Sequence, residues 1–417
     1  MKILVIGGGG REHAVVRQLY AEGGHELYCA PGNGGIGALA TCVDIAATDV
    51  DAMVAFAQVK EMDLVVVTPD DPLALGMVDR LNAVGIKAFG PTQAAARIES
   101  SKAFSKALMK KYGIPTAQFR VFDEPQAAKD YIGEMGAPIV VKADGLALGK
   151  GVFVCGTEEE AEDAVDEIMV KRAFGASGSR VLIEECLFGP EASLLCFTDG
   201  KAVVPMPAAQ DHKRAYDGDR GPNTGGMGAF APTPKMTPSL LDRVMQEIVY
   251  PTVQAMAAEG CPFKGVLYFG LMLTERGPMV IEYNSRFGDP ETQAILPLLK
   301  TPLSQVMLAV IEERLGEMEV AFSQESAVCV VLASGGYPGP YEKGKTIHGI
   351  QEALAEGAIV YHAGTALCKD GYATAGGRVL GVTAVEPSLE QAIHRAYEYV
   401  DLISFAGMEY RKDIGRK

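Results

Sequence analysis

The chain contains no tryptophan, and its eight cysteines (29, 42, 155, 186, 196, 261, 329 and 368) form no C-x-x-C pair. That spacing excludes the usual zinc frameworks and any obvious disulfide scaffold. Small buried thiols in a reducing compartment are expected instead. No apolar run reaches the ~18 residues that a membrane span needs. The apolar part of the opening MKILVIGGGG is too short for a signal peptide. Positive charge is in deficit: 38 basic against 53 acidic residues give a net charge of −15. Such a surplus opposes non-specific binding to nucleic acid or an anionic membrane, yet leaves local cationic patches able to hold phosphates. With 48% hydrophobic and 22% charged residues, the 417-residue chain has apolar material for about three domains of ~150 residues. The expectation is a cytoplasmic monomer with small-molecule partners and neither nucleic-acid nor membrane partners.

Two nucleotide fingerprints are missing as well. A strand at 2–6 is followed by glycines at 7–10 and a helix from Glu12 to Glu22. Further strands at 26–30 and 64–67 and a helix at 49–60 predict a parallel, Rossmann-like sheet. Ligands of such sheets bind beyond the carboxyl ends of the strands. G-x-G-x-x-G counted from Gly7 or Gly8 meets Glu12 or His13 instead of its last glycine, which argues against a nicotinamide site. A glycine cluster opening a helix still suits phosphate. Farther on, GLALGKG (145–151) is one residue short of a Walker loop and lacks the Ser or Thr after Lys150. It joins strands at 138–142 and 152–155, so its backbone N–H groups and Lys150 are placed to cover phosphates.

The remaining polar clusters carry the chemistry. A strand at 180–184 ends in Glu184-Glu185, suited to adenosine. The polar stretch 208–231, with DHKR at 211–214 and GGMG at 225–228, reads as a long mobile lid. MVIEYNSRFGDPETQ (279–293) opens as a strand on which Glu282 and Asn284 share a face. Two hard oxygen ligands there suit a Mg²⁺ that also binds phosphates. Arg286 falls on the same face if the strand continues, and offers a fork for carboxylate or phosphate. Gly288-Asp289-Pro290 then turns the chain.

Taken together, these motifs resemble the glycinamide ribonucleotide synthetase (phosphoribosylamine–glycine ligase) family of the ATP-grasp superfamily. The resemblance runs the whole length: GGREHA (9–14), APGNGG (30–35), SKAF (101–104), PIVVKADGLALGKGV (138–152), QDHKR (210–214), GPNTGGMGAF (221–230), VIEYNSRFGDPETQ (280–293), HAGT (362–365), GGRVL (376–380) and RKDIG (411–415). It implies a multidomain α/β and α+β fold. The expected parts are a Rossmann-like substrate domain at 1–101, an ATP-grasp core at 102–122 and 188–324, its small mobile domain at 123–187, and a small β-rich C-terminal domain at 325–417.

The implied activity is ATP-dependent carbon–nitrogen ligation in de novo purine biosynthesis. Glycine and ATP give glycyl phosphate, which 5-phosphoribosylamine attacks to yield glycinamide ribonucleotide, ADP and phosphate. Carried over residue by residue, Glu282 and Asn284 bind Mg²⁺ or Mn²⁺. Lys102, Lys142, Gly149, Lys150 and Gly151 hold ATP phosphates, while Glu184, Glu185, Leu187 and Glu191 hold adenosine. Arg286, Lys142 and Asp211 take the catalytic roles. Gly9, Gly10, Asn33, Asp70, Lys213, Arg286, Gly288 and Asp289 face the substrates. Another ATP-grasp carboxylate–amine ligase, or a purine-pathway carboxylase, is the alternative.

The chain departs from the family pattern in places. Thr68-Pro69-Asp70 stands where the family reads Gly-Pro-Glu, Gly8 where relatives often carry Asn or Lys, and Ser285 where many have Cys. Gly270 stands where many ATP-grasp enzymes carry a metal-binding carboxylate, so fewer protein ligands to the metal are expected.

Overall fold

The computed structural model describes residues 1–146 and 151–416. Gly149 and Lys150, expected at the ATP phosphates, lie outside the described residues. The N-terminal sheet is all parallel, in the spatial order Thr41–Cys42, Glu26–Pro31, Lys2–Gly7, Leu64–Val67, Lys87–Phe89. Lys2–Gly7 is buried along nearly its whole length, as expected of a central parallel strand covered on both faces. The winding reverses between Lys2–Gly7 and Leu64–Val67. Gly8, Gly9 and Thr68-Pro69 follow those strands and therefore line the crevice where such sheets bind ligands. Helix Gly10–Glu22 starts there, and Glu12 closes its first turn by accepting the Gly9 N–H at 2.6 Å.

Two antiparallel four-stranded sheets form the middle of the molecule. One runs Phe119–Phe122, Val181–Glu185, Ile139–Ala143, Val152–Cys155, and the other Val203–Pro205, Glu191–Thr198, Gly265–Thr274, Gly277–Asn284. Helix Lys102–Tyr112 has the expected bounds. Ser101 caps it by accepting the Phe104 N–H at 3.2 Å, and Gly113 ends it in the left-handed region at φ 68°.

The stretch 208–231 is not one long loop. Gln210–Asp211 and Gly228–Ala231 are strands of a six-stranded sheet with Ser326–Ser334, Arg378–Glu386 and Ile359–His362, and Met408–Glu409 pairs with Ser326–Ser334. Between them Arg214–Tyr216 and Arg220–Asn223 pair as a hairpin. The small side chains of Ala229 and Ala231 and the ring of Phe230 are fully buried. A mobile lid was expected from polarity and glycine content, but pairing to a strand much later in the chain orders the segment. The C-terminal motif RKDIG anchors the hairpin. Arg411, fully buried, bonds Asp413 at 2.7 and 2.6 Å and Asp219 at 2.9 Å, while Gly218 N–H donates to Asp413 at 2.9 Å.

Candidate active site

Three cations converge where the two middle sheets face each other. Lys142, on Ile139–Ala143, donates to Glu184 Oε2 at 3.0 Å and to the Ile281 carbonyl at 3.0 Å. Lys106 reaches the same Glu184 oxygen at 2.8 Å, and all three side chains are under 10% exposed. Burial pushes the Glu184 carboxyl up, but Lys142 and Lys106 together hold it below the ordinary range. Burial dominates at Lys106 and brings its ammonium down to about 8. Lys102 extends beside them and donates to the Gly145 carbonyl at 2.7 Å, at the start of the glycine-rich loop. Among the described residues Glu184 Oε1 is buried without a hydrogen-bond partner. Such an orphaned buried acceptor is a place for a donor from a ligand. Lys106 escaped the sequence analysis. Its spacing of four from Lys102 on one helix face was the available signal.

Glu282 and Asn284 do share a face of Gly277–Asn284. Gly270 pairs with Glu282 and Leu271 with Val280, so Ile281 is an extra residue bulged beside the carboxylate. A Cβ at Gly270 would come within 2.8 Å of Glu282 Cγ. Glycine here therefore makes room for the Glu282 side chain. Lys213 donates to Glu282 at 3.2 Å and lies 3.5 Å from Glu191. Lys213 is the main cause that holds the Glu282 carboxyl down at about 2, against its burial. An ionised carboxylate and an amide oxygen fit a hard divalent cation, but two protein donors leave most positions to phosphates and water. Among the described residues no group of three or more His, Cys, Asp and Glu could hold a metal alone.

Asp211 sits in the same charge cluster. Burial raises it to about 8, with Lys213 opposing and Glu291, Glu191 and Glu282 adding to the rise. A carboxyl raised on folding lends stability that is full below its unfolded value and lost as pH rises to about 8. Asp211→Asn is therefore expected to melt above the unsubstituted protein at pH ~9, with the gap closing toward pH ~5. Melting temperatures at the two pH values check this, and a gap that does not change with pH would refute it.

The expected continuation of the strand to Arg286 fails: the strand ends at Asn284 and the chain bends. Arg286 instead pairs with Glu99 at 2.9 Å and donates to the Phe287 carbonyl at 3.1 Å. Its Nε is buried without a hydrogen-bond partner among the described residues. Glu99, from helix Gln93–Ser100, also accepts the Ser285 N–H and hydroxyl, each at 2.8 Å. Next along, Glu291 accepts from the Tyr268 hydroxyl at 3.0 Å and from Ser193 at 3.2 Å.

Asp289 joins the three parts of the chain. A Cβ on Gly9 would lie 3.6 Å from Asp289 Oδ2, and one on Gly10 only 2.6 Å from Gln293 Nε2. Arg378, from the C-terminal sheet, pairs with Asp289 at 3.1 Å and donates to the carbonyls of Asp289 at 2.9 Å and Gly225 at 2.7 Å. Burial raises the Asp289 carboxyl, yet Arg378 and then Arg11 pull it below the ordinary range. Arg11 itself donates to Glu12 at 2.6 Å and to the Phe287 carbonyl at 3.2 Å. Arg378→Gln is expected to raise the substrate KM values about tenfold or more, because two loops lose their shared donor. Steady-state kinetics for each substrate checks this, and unchanged KM values would refute it.

The other expected residues are placed as follows. Asp70 opens the helix Asp70–Ala74 and acts electrostatically on Arg286 and Glu99. Asn33 spends its amide on its own surroundings: it donates to the Gly8 and His362 carbonyls and accepts from Gly35 and Ile36. Its side chain shapes the 31–36 loop, which leaves backbone as the surface it offers to a ligand. Glu185 accepts from Arg276 at 2.8 Å near the rim. Gly288 allows a tight turn, since a Cβ there would meet Glu291 Oε2 at 2.5 Å. Leu187 follows the strand Val181–Glu185, and Gly151 precedes the strand Val152–Cys155.

Known proteins are similar to this chain along its whole length. Residues 1–99, 100–292 and 327–417 match the family models for phosphoribosylglycinamide synthetase, respectively its N domain, its ATP-grasp (A) domain and its C domain. The phosphoribosylamine–glycine ligase of Caldanaerobacter subterraneus subsp. tengcongensis is 49% identical over 99% of both chains. That of Nostoc sp. is 50% identical over all of this chain and 99% of its own. The crystal structure of phosphoribosylamine–glycine ligase from Thermotoga maritima superposes with a TM-score of 0.87 at 34% identity, covering 99% of this chain and 100% of that one. The biotin carboxylase domain of Hydrogenobacter thermophilus 2-oxoglutarate carboxylase, solved with MgADP and bicarbonate, gives a TM-score of 0.76 at 17% identity over 98% of this chain and 91% of that one, a likeness of fold alone.

Proposed function

The chain belongs to the phosphoribosylglycinamide synthetase family, and from that premise we infer an ATP-dependent carbon–nitrogen ligase of purine biosynthesis. It joins glycine to 5-phosphoribosylamine through glycyl phosphate and releases ADP and phosphate. The observation that carries the site assignment is the meeting of all three parts of the chain at Asp289, one bend away from Glu282 and Asn284.

On this reading Lys102 and Lys142 neutralise and orient the ATP phosphates, and Gly149, Lys150 and Gly151 bind them as well. Glu184, Glu185, Leu187 and Glu191 surround adenosine, and the orphaned Glu184 oxygen supports a donor there. Glu282 and Asn284 would hold Mg²⁺ or Mn²⁺, which when bound offsets phosphate charge. Arg286 directs its unpaired Nε–H at the glycine carboxylate and then at the acyl phosphate, so its charge matches what develops in the transition state. Lys213 and Asp211 adjust charge beside the transferring group. Gly9, Gly10, the loop carrying Asn33, and Asp70 receive phosphoribosylamine, and Gly288 and Asp289 bring its amine against the acyl carbon. Such chemistry rests on positioning more than on a protein nucleophile. The reading includes a monomer in a reducing, cytoplasmic setting, where eight cysteines without a disulfide framework are expected.

The test is phosphate release from ATP and Mg²⁺ with glycine and phosphoribosylamine made in situ, each component omitted in turn. Release that needs both glycine and the amine is expected. Release that needs bicarbonate or formate would move the protein elsewhere in the superfamily.

A further inference from the structure

We propose that Glu99 is a positioning residue that fixes the orientation of the Asn284 amide, so that its oxygen faces the metal-binding side. This rests on Glu282 and Asn284 being the metal ligands. Glu99 lies on a helix of the N-terminal part, remote in sequence from the strand it serves. One of its oxygens accepts the Ser285 N–H and the Ser285 hydroxyl, each at 2.8 Å. The other takes Arg286 at 2.9 Å.

With the Asn284 amide turned so that nitrogen and oxygen both find partners, its N–H₂ donates to that second oxygen at 3.0 Å and to the Tyr283 carbonyl at 3.2 Å. A carboxylate only accepts, so it admits only this orientation. The amide oxygen is left pointing away from Glu99, on the face of the strand that carries Glu282. The arrangement makes one buried side chain responsible for all three residues of Asn284-Ser285-Arg286. It also gives Ser285 a role: its hydroxyl helps lock the carboxylate that aims its neighbours.

Glu99→Gln tests this at constant size. Ser285 brings two donors to one oxygen, one of them fixed in the backbone, so the glutamine keeps its oxygen there; its N–H₂ then meets Arg286, which can turn away on its longer side chain, and Asn284. The Asn284 amide then flips to present oxygen to the glutamine, and the metal loses that ligand. The readout is Mn²⁺ binding in the presence of ADP, followed by electron paramagnetic resonance, with no turnover needed. Glu99→Gln is expected to weaken Mn²⁺ about ten- to a hundredfold, as for other groups that orient metal ligands.

The double variant Glu99→Gln with Asn284→Asp should recover most of the affinity. Aspartate has an oxygen for each side, so no orientation of it is wrong. Because the added charge strengthens Mn²⁺ binding by itself, the comparison is with Asn284→Asp alone: on this proposal Glu99→Gln costs nothing in that background, whereas a purely structural loss persists there. Glu99→Asp keeps the charge but is too short to span both neighbours, and it decides the matter if the glutamine variant does not fold. Wild-type affinity in Glu99→Gln or, in that event, Glu99→Asp would overturn the proposal, as would a Glu99→Gln loss that persists in the Asn284→Asp background. Asn284→Leu separates the two levels. If it leaves Mn²⁺ affinity unchanged, the ligand assignment itself falls, whereas a weakened Asn284→Leu beside an unaffected Glu99→Gln condemns Glu99 alone.

Discussion

Arg286→Ala is expected to lower turnover by about a hundred- to a thousandfold, the range seen when a donor to a developing oxyanion is removed. The size follows from where the guanidinium sits. Glu99 and the Phe287 carbonyl fix it, while Nε stays buried with no partner among the described residues. A donor already desolvated and oriented needs no reorganisation when substrate charge arrives. Arg286→Lys keeps the charge and loses the fork, so it should fall between. The alanine variant also leaves Glu99 buried beside no cation. Burial already raises that carboxyl, and the loss of Arg286 would raise it further. kcat at saturating glycine, measured on protein whose melting has been checked, decides the point. Near-normal kcat would end the role given to Arg286.

Glu184→Gln should be the most damaging single change to stability. Lys106 and Lys142 would then lie buried with no anion between them. Removing one side of a buried ionic cluster typically costs about 3–5 kcal/mol. The sign of the pH effect identifies the cause. Unpaired buried ammonium groups have folded pKa values below their unfolded ones, so their penalty is largest at neutral pH and shrinks as pH rises toward ~10. Denaturant unfolding at pH ~7 and ~9.5 is expected to show the loss and its partial recovery. A loss that is equal at both values would point to packing instead of charge.

What could be read in advance was local. Glu282 and Asn284 share a face because alternation along a strand needs no knowledge of the rest of the fold. The helix Lys102–Tyr112 announced itself through Ser101 and Gly113. Family membership was legible from motifs spread over the full length, and the relatives bear it out. The failures were non-local. Nothing near Arg286 says that the strand stops at Asn284 and that a glutamate from another part of the chain receives the side chain. Nothing in 208–231 says that Gly228–Ala231 will pair with Ser326–Ser334. Lys106, Glu99, Arg11 and Arg378 were missed for the same reason, since each acts through a partner distant in sequence.

The shared sheet bears on how such a protein can be cut and spliced. Gly228–Ala231 lies inside the segment matched as the ATP-grasp domain, yet its ladder neighbour begins the C-terminal one. A chain stopped before Ser326 would carry a buried strand with one side of its ladder open, a template for aggregation. A C-terminal part grafted onto another ligase would arrive without the strand that completes its own sheet. Exchange of modules by recombination must therefore move 208–231 and the C-terminal part together, and the borders useful to a gene are not those drawn by sequence similarity.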